Sequence, residues 1–110
     1  MAQKTIPQKI EKEIRDYVDV LKKENLPIKS VYLFGSYAKG TGRKWSDIDV
    51  CIVSPQFSDF FDALQYLWAR RIRNSSIEPI GMTPEDFADD TTLNREIKQT
   101  GIKIPLSPCP

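Results

Sequence analysis

Two carboxylates one residue apart, Asp47 and Asp49, follow a Gly35-Ser36 pair after an interval of ten residues. The apolar residues around them have strong β-propensity: Val31-Tyr32-Leu33-Phe34 before the glycine, and Ile48, Val50 and Ile52 among and after the acids. Alternate side chains of a strand share a face, so Asp47 and Asp49 project together while Ile48, Val50 and Ile52 enter the core. Two carboxylates side by side repel each other unless a divalent cation lies between them. Gly35 lets the backbone approach a ligand closely, and Ser36 opens a helical turn whose N–H groups suit phosphate oxygens. A phosphate cradle beside a carboxylate pair is the equipment of two-metal phosphoryl or nucleotidyl transfer. Each feature alone is common, and an acidic pair at a strand end is usually only solvated. Their order, on strand, turn, helix and strand, narrows the reading.

Composition removes the main rivals. The 110 residues carry sixteen Lys+Arg, fifteen Asp+Glu and no histidine. Without imidazole, Ser-His-Asp and Cys-His nucleophile systems are excluded. Most catalytic zinc sites go with them, so a metal here is held by carboxylates, which suits a hard ion such as Mg²⁺. No glycine-rich loop ends in Gly-Lys-Ser/Thr, which excludes a P-loop NTPase. The two cysteines, Cys51 in an apolar run and Cys109 near the end, make no disulfide framework. The first residues lack the apolar stretch of a signal peptide and no segment approaches a membrane span, so a reducing cytoplasm is the expected compartment. A net charge of +1 gives no argument for nucleic acid or membrane, but its distribution is uneven. Residues 31–46 hold three bases and no acid, and residues 47–69 four acids and no base. A basic stretch meeting an acidic one suits a site that handles phosphates and cations together.

The surrounding elements must position these residues. Ile6, Ile10, Ile14, Tyr17, Val18 and Leu21 recur at helical spacing, which predicts a helix over 6–23 with Pro7 in its first turn and Asn25 and Pro27 at its end. Strands are expected at 28–34, 47–53 and 76–82, with a short helical turn over 36–39. Residues 59–72 read as a helix whose apolar face, Phe57, Phe60, Phe61, Leu64, Leu67, Trp68 and Ile72, packs in the core. Thr83-Pro84-Glu85-Asp86 opens another helix with a cap, an N1 proline and a capping-box acid. A last helix over 93–100 stops at Gly101, and 102–104 forms a short edge strand. Helices alternating with strands on this scale give one small α/β domain over 1–104, with 105–110 as a loose tail. Cys51 reads as a small core residue. Lys39, Arg43 and Lys44 lie between the two motifs, where they can neutralise phosphates, and Trp45 covers that loop or touches a partner.

The stretch Val31 to Gly40 through Ser46-Asp47-Ile48-Asp49-Val50 resembles the signature of the DNA polymerase beta-like nucleotidyltransferase superfamily, and the short chain is similar to its minimal nucleotidyltransferases (MNT proteins). Residues Ile77 to Ile80, Thr83 to Phe87 and Glu96 to Ile102 resemble their C-terminal half, so the likeness covers most of 28–104. It implies a small mixed β-sheet flanked by helices. It implies that Gly35 and Ser36 grip the triphosphate of ATP and that Asp47 and Asp49 bind two Mg²⁺ ions. Glu78, the one acid in the third expected strand, takes the place of the family's third carboxylate. It would hold the catalytic metal and orient or deprotonate the acceptor hydroxyl. Pro79 beside it lacks an N–H and marks an irregular or edge strand.

On this likeness a hydroxyl attacks the α-phosphate of ATP in line and pyrophosphate leaves. Larger superfamily members hold the acceptor with a further domain, and a chain this short is expected to receive it as a separate molecule. MNT proteins pair with a helical HEPN toxin and transfer AMP to its tyrosine, which implies an antitoxin here. A non-catalytic antitoxin acting by occlusion, and nucleotidylation of a small molecule, are the two alternatives. Base preference and oligomeric state stay open.

Overall fold

In the computed structural model, residues 6–39 and 47–106 are described. Nine elements alternate along the chain: α1 (Gln8–Lys23), β1 (Ser30–Phe34), α2 (Ser36–Lys39), β2 (Ile48–Val53), α3 (Phe60–Ala69), β3 (Ile77–Met82), α4 (Pro84–Ala88), α5 (Thr92–Thr100) and β4 (Ile102–Lys103). The strands form one sheet in the order β3-β2-β1-β4. β1 is antiparallel to β2 and β4, while β2 and β3 run parallel. This is the mixed sheet flanked by helices that the sequence implies.

Both faces of the sheet are covered. Val31, Leu33, Ile48, Val50, Ile52 and Ile77 pack with Ile10, Ile14, Tyr17, Val18 and Leu21 of α1 and Ala63 and Leu67 of α3. Phe34, Cys51, Val53 and Met82 pack on the other face with Ile97 of α5, joined by Phe87 of α4 and by Leu93. Thus β2 is buried on both sides, except where Asp49 breaks the apolar pattern near its start.

Local chemistry explains the boundaries. Pro7 sits just outside α1 in an extended conformation. At the other end Asn25 takes a left-handed φ of 64°, and Leu26 N–H reaches back to Leu21 O at 3.2 Å while Asn25 N–H reaches Lys22 O at 2.9 Å. That paired return is a Schellman stop, which Asn tolerates better than other side chains. Tyr17 O–H donates to Leu67 O at 2.6 Å, fastening α1 to α3. Asp59 caps α3 and Thr83 caps α4, each accepting the N–H three residues on. Buried Asn94 donates to Asp86 O and Asp89 O, which holds α5 to the end of α4.

The expected core role of Phe60, Phe61 and Trp68 is corrected. They are 42%, 66% and 41% exposed, and α3 ends at Ala69 rather than 72. A helix lying on a sheet presents one stripe, and here it is Ala63 and Leu67, set down against Gly81. A Cβ at Gly81 would stand 2.8 Å from Leu67 and 3.0 Å from Ala63. At about 100° per residue, Phe61 and Trp68 fall roughly on the opposite side of α3 from Ala63. Leu106 still packs beside the α1-facing core, beyond the expected domain end at 104. No helix among the described residues is long and apolar enough to cross a membrane.

Candidate active site

The end of β1 and the starts of β2 and β3 meet at one end of the sheet. Strand register does most of the positioning. Phe34 lies opposite Asp49 in the antiparallel β1-β2 pair, and Asp49 lies beside Glu78 in the parallel β2-β3 pair. Paired residues of neighbouring strands point to the same face, so two of the three expected carboxylates are adjacent by registry alone. Asp47, two residues before Asp49, shares that face by strand alternation, near enough for its charge to act on both Glu78 and Asp49.

Gly35 ends β1 with a φ of +79°, and a Cβ built there would collide with the Asp49 carboxylate. Glycine is therefore required twice, once for the left-handed turn and once for the approach of Asp49. Ser36 follows as the first residue of α2, and Lys39 N–H closes that turn onto Gly35 O at 3.1 Å.

The electrostatics are those of crowded acids. Partial burial, then the charges of Asp47 and Glu96, push the Asp49 carboxyl above its usual range. Desolvation raises Glu78 as well, followed by its hydrogen bond to Asp47 and the charges of Asp47 and Asp49; the nearby Arg71 cation opposes the shift. Both acids hold their protons harder than free side chains because desolvation and the neighbouring carboxylates disfavour their charged forms. Among the described residues, no three Asp, Glu, Cys or His side chains already enclose a point where an ion would sit. The donors nonetheless fit a hard divalent cation in kind, since they are all carboxylate oxygens and a cation would relieve the repulsion that raises them.

Other expected residues are placed differently. Lys39 is paired with Glu96 of α5, Nζ to Oε2 at 3.5 Å, with both side chains about half exposed. Arg43, Lys44 and Trp45 lie outside the described residues. Cys51 is fully buried, and burial pushes its thiol up to about 12, as a core residue rather than a nucleophile. Pro79 does not interrupt the ladder. Ile48 N–H bonds to Ser76 O and Ser54 N–H to Met82 O, so even-numbered residues of β3 face β2. The missing N–H of Pro79 therefore falls on the outer edge of an edge strand.

Two residues near the site were not singled out from the sequence. Glu96 is a polar residue on the flank of an amphipathic helix, and only the docking of α5 beside β1 brings it to Asp49 and Lys39. Arg71 reads as one of three cations near a helix end. Its guanidinium sits 4.3 Å from the centre of the Trp68 ring, and Nη2 donates to Ser75 O at 2.9 Å.

Known proteins resemble this chain in sequence and in fold. A Methanocaldococcus jannaschii protein named "Putative protein adenylyltransferase MJ1215" is 42% identical over 48 residues, which is 41% of this chain and 56% of that protein. The matched stretch thus spans little more than half of that relative. A solved "putative nucleotidyltransferase" from Sulfolobus solfataricus superposes with a TM-score of 0.63 at 23% identity, over 86% of this chain and 78% of that one. A solved complex of a tri-AMPylated Shewanella oneidensis HEPN toxin with an MNT antitoxin superposes with a TM-score of 0.55 at 19% identity, over 91% and 72%. At these identities the two structures speak for the fold. The family model described as a nucleotidyltransferase domain matches residues 10–103, and the chain belongs to that family.

Proposed function

We propose that the chain transfers AMP from ATP to a protein hydroxyl, with Mg²⁺ held by Asp47, Asp49 and Glu78. The observation that carries this is the convergence of Gly35, Asp49, Glu78 and Asp47 at one end of the sheet, in a chain of the nucleotidyltransferase domain family. Bound Mg²⁺ would neutralise charge on the phosphates during the displacement. Gly35 leaves room for the triphosphate to approach the backbone beside Asp49, and Ser36, with Lys39 and Arg43, contacts the phosphates. Asp47 and Asp49, on one face at the start of β2, would hold the Mg²⁺. Glu78 orients the acceptor hydroxyl and receives its proton. The acceptor oxygen forms a bond to the α-phosphorus, the bond to the bridging oxygen breaks, and pyrophosphate leaves with that electron pair.

The acceptor in this reading is a tyrosine of a HEPN-domain toxin, which the chain silences. The support is the fold likeness to an MNT antitoxin solved with an AMPylated HEPN toxin, and the partial identity to a protein named as an adenylyltransferase. The test is the intact mass of a HEPN-domain protein after incubation with this chain and MgATP. A gain of one or more AMP groups, absent without Mg²⁺, is the expected result. An unchanged mass beside full neutralisation of the toxin would replace catalysis with occlusion.

A further inference from the structure

β3 is the outer strand of the sheet, so among the described residues the strand carrying Glu78 has no neighbour on its free side. Side chains from α3 and from the residues just after it take that neighbour's place on either side of Glu78. Trp68 Nε1–H donates to Pro79 O at 3.0 Å, immediately after it. Arg71 Nη2 donates to Ser75 O at 2.9 Å, ahead of it. The two residues brace each other, since the guanidinium lies 4.3 Å from the indole centre. Glu13 of α1 accepts from Ser75 Oγ at 3.0 Å and Ser76 N–H at 3.2 Å, and Ile77 N–H donates to Ser75 Oγ at 3.1 Å. Arg71 Nε is buried without an acceptor among the described residues. Its placement is thus set by the ring and the Ser75 carbonyl rather than by its own full satisfaction.

We infer that Trp68 and Arg71 are positioning residues for Glu78, an edge clamp that fixes the backbone from which the third carboxylate reaches the metal. This rests on the reading of Glu78 as a metal ligand. A glutamate has one more rotatable bond than an aspartate and a wider reach. A strand free to fray at its edge would spread its carboxylate over many positions. Asp49 needs no such device, because its strand is paired with β1 on one side and β3 on the other. The indole N–H is what the clamp uses of Trp68, whose ring is 41% exposed.

The test uses the full chain and Mn²⁺ as the probe, with bound ion read from the loss of the free Mn²⁺ EPR signal. The variants are Trp68→Phe, Arg71→Gln, Arg71→Lys and Glu78→Gln, each with its melting temperature. Supporting partners of metal ligands are typically worth about 10–100-fold in affinity or activity, so Trp68→Phe and Arg71→Gln should weaken Mn²⁺ binding about tenfold. AMP transfer should fall in kcat with KM for ATP held within about twofold, the signature of lost alignment rather than lost nucleotide binding. Arg71→Lys, which can still reach Ser75 O and the ring, should recover most of the loss. Folded Trp68→Phe and Arg71→Gln proteins that bind Mn²⁺ like the native chain, while Glu78→Gln does not, would overturn the clamp and leave the Glu78 reading standing. Native Mn²⁺ binding and transfer by Glu78→Gln would overturn both. If Trp68→Phe does not fold, the Arg71 pair decides the matter by the same comparison.

Discussion

At the scale of single residues, the site is governed by how closely charges and backbone approach. Gly35 holds a φ of +79° with the Asp49 carboxylate against its Cα. Gly35→Ala meets a left-handed penalty of about 1–2 kcal/mol and must also push Asp49 aside. The melting temperature should therefore fall modestly while AMP transfer falls by more than about tenfold, each tenfold being about 1.4 kcal/mol of transition-state stabilisation. Glu96 pulls the other way, because it occupies Lys39 at 3.5 Å and adds negative charge near Asp49. Exposed ion pairs are worth roughly 0.2–1 kcal/mol. Freeing Lys39 for phosphate by Glu96→Gln should accordingly lower KM for ATP by about two- to fivefold. An unchanged KM in steady-state kinetics would remove Lys39 from the phosphate contacts.

At the scale of elements, what could be read in advance depended on whether a local pattern or a distant contact decides the outcome. The β1-turn-β2 stretch was legible because strand alternation puts Asp47 and Asp49 on one face and because a glycine after a strand marks a turn. The end of α1 was legible from Asn25 and Pro27. Glu78 was placed on the third strand, but its position beside Asp49 depends on parallel register that no local pattern states. The face of α3 was misread for a related reason. Five of the apolar residues expected in the core lie around that helix, and the stripe that docks is chosen by Gly81, a bare spot on β3 that admits Ala63 and Leu67. Glu96 and the Trp68-Arg71 clamp exist only once α5 and α3 have docked. The corrected face has a measurable consequence. Leu67→Ala should destabilise the fold by about 2–5 kcal/mol in denaturant melts, as large core truncations do. Phe61→Ser, at a residue 66% exposed, should stay within about 0.5 kcal/mol of the native chain.

At the scale of the whole molecule, the acid cluster couples stability to pH, and on the proposed function it should couple it to divalent ions as well. Asp49 and Glu78 both carry carboxyls raised above their ordinary values. Between the ordinary and the raised values the folded chain binds more protons than the unfolded one. Rising pH through that window therefore removes stability, and above it the loss persists. A cation that binds only the folded site replaces those protons and restores stability by mass action. Mg²⁺ should thus raise the melting temperature more at pH 7.5 than at pH 4.5, where protons compete for the same oxygens. Asp49→Asn should raise the melting temperature of the metal-free chain at pH 7.5 and blunt the response to Mg²⁺. Equal Mg²⁺ shifts at both pH values would mean that the ion binds elsewhere.

The central claim is that this carboxylate cluster transfers AMP. The most direct measurement is transfer of label from ATP carrying ³²P at the α-phosphate into proteins of the source cell's lysate, with Mg²⁺, comparing the native chain with a folded Asp49→Asn variant. A labelled protein that appears with the native chain and disappears with the variant is the predicted result. Label that persists at the native level with Asp49→Asn, or no label with either folded protein, would contradict the account.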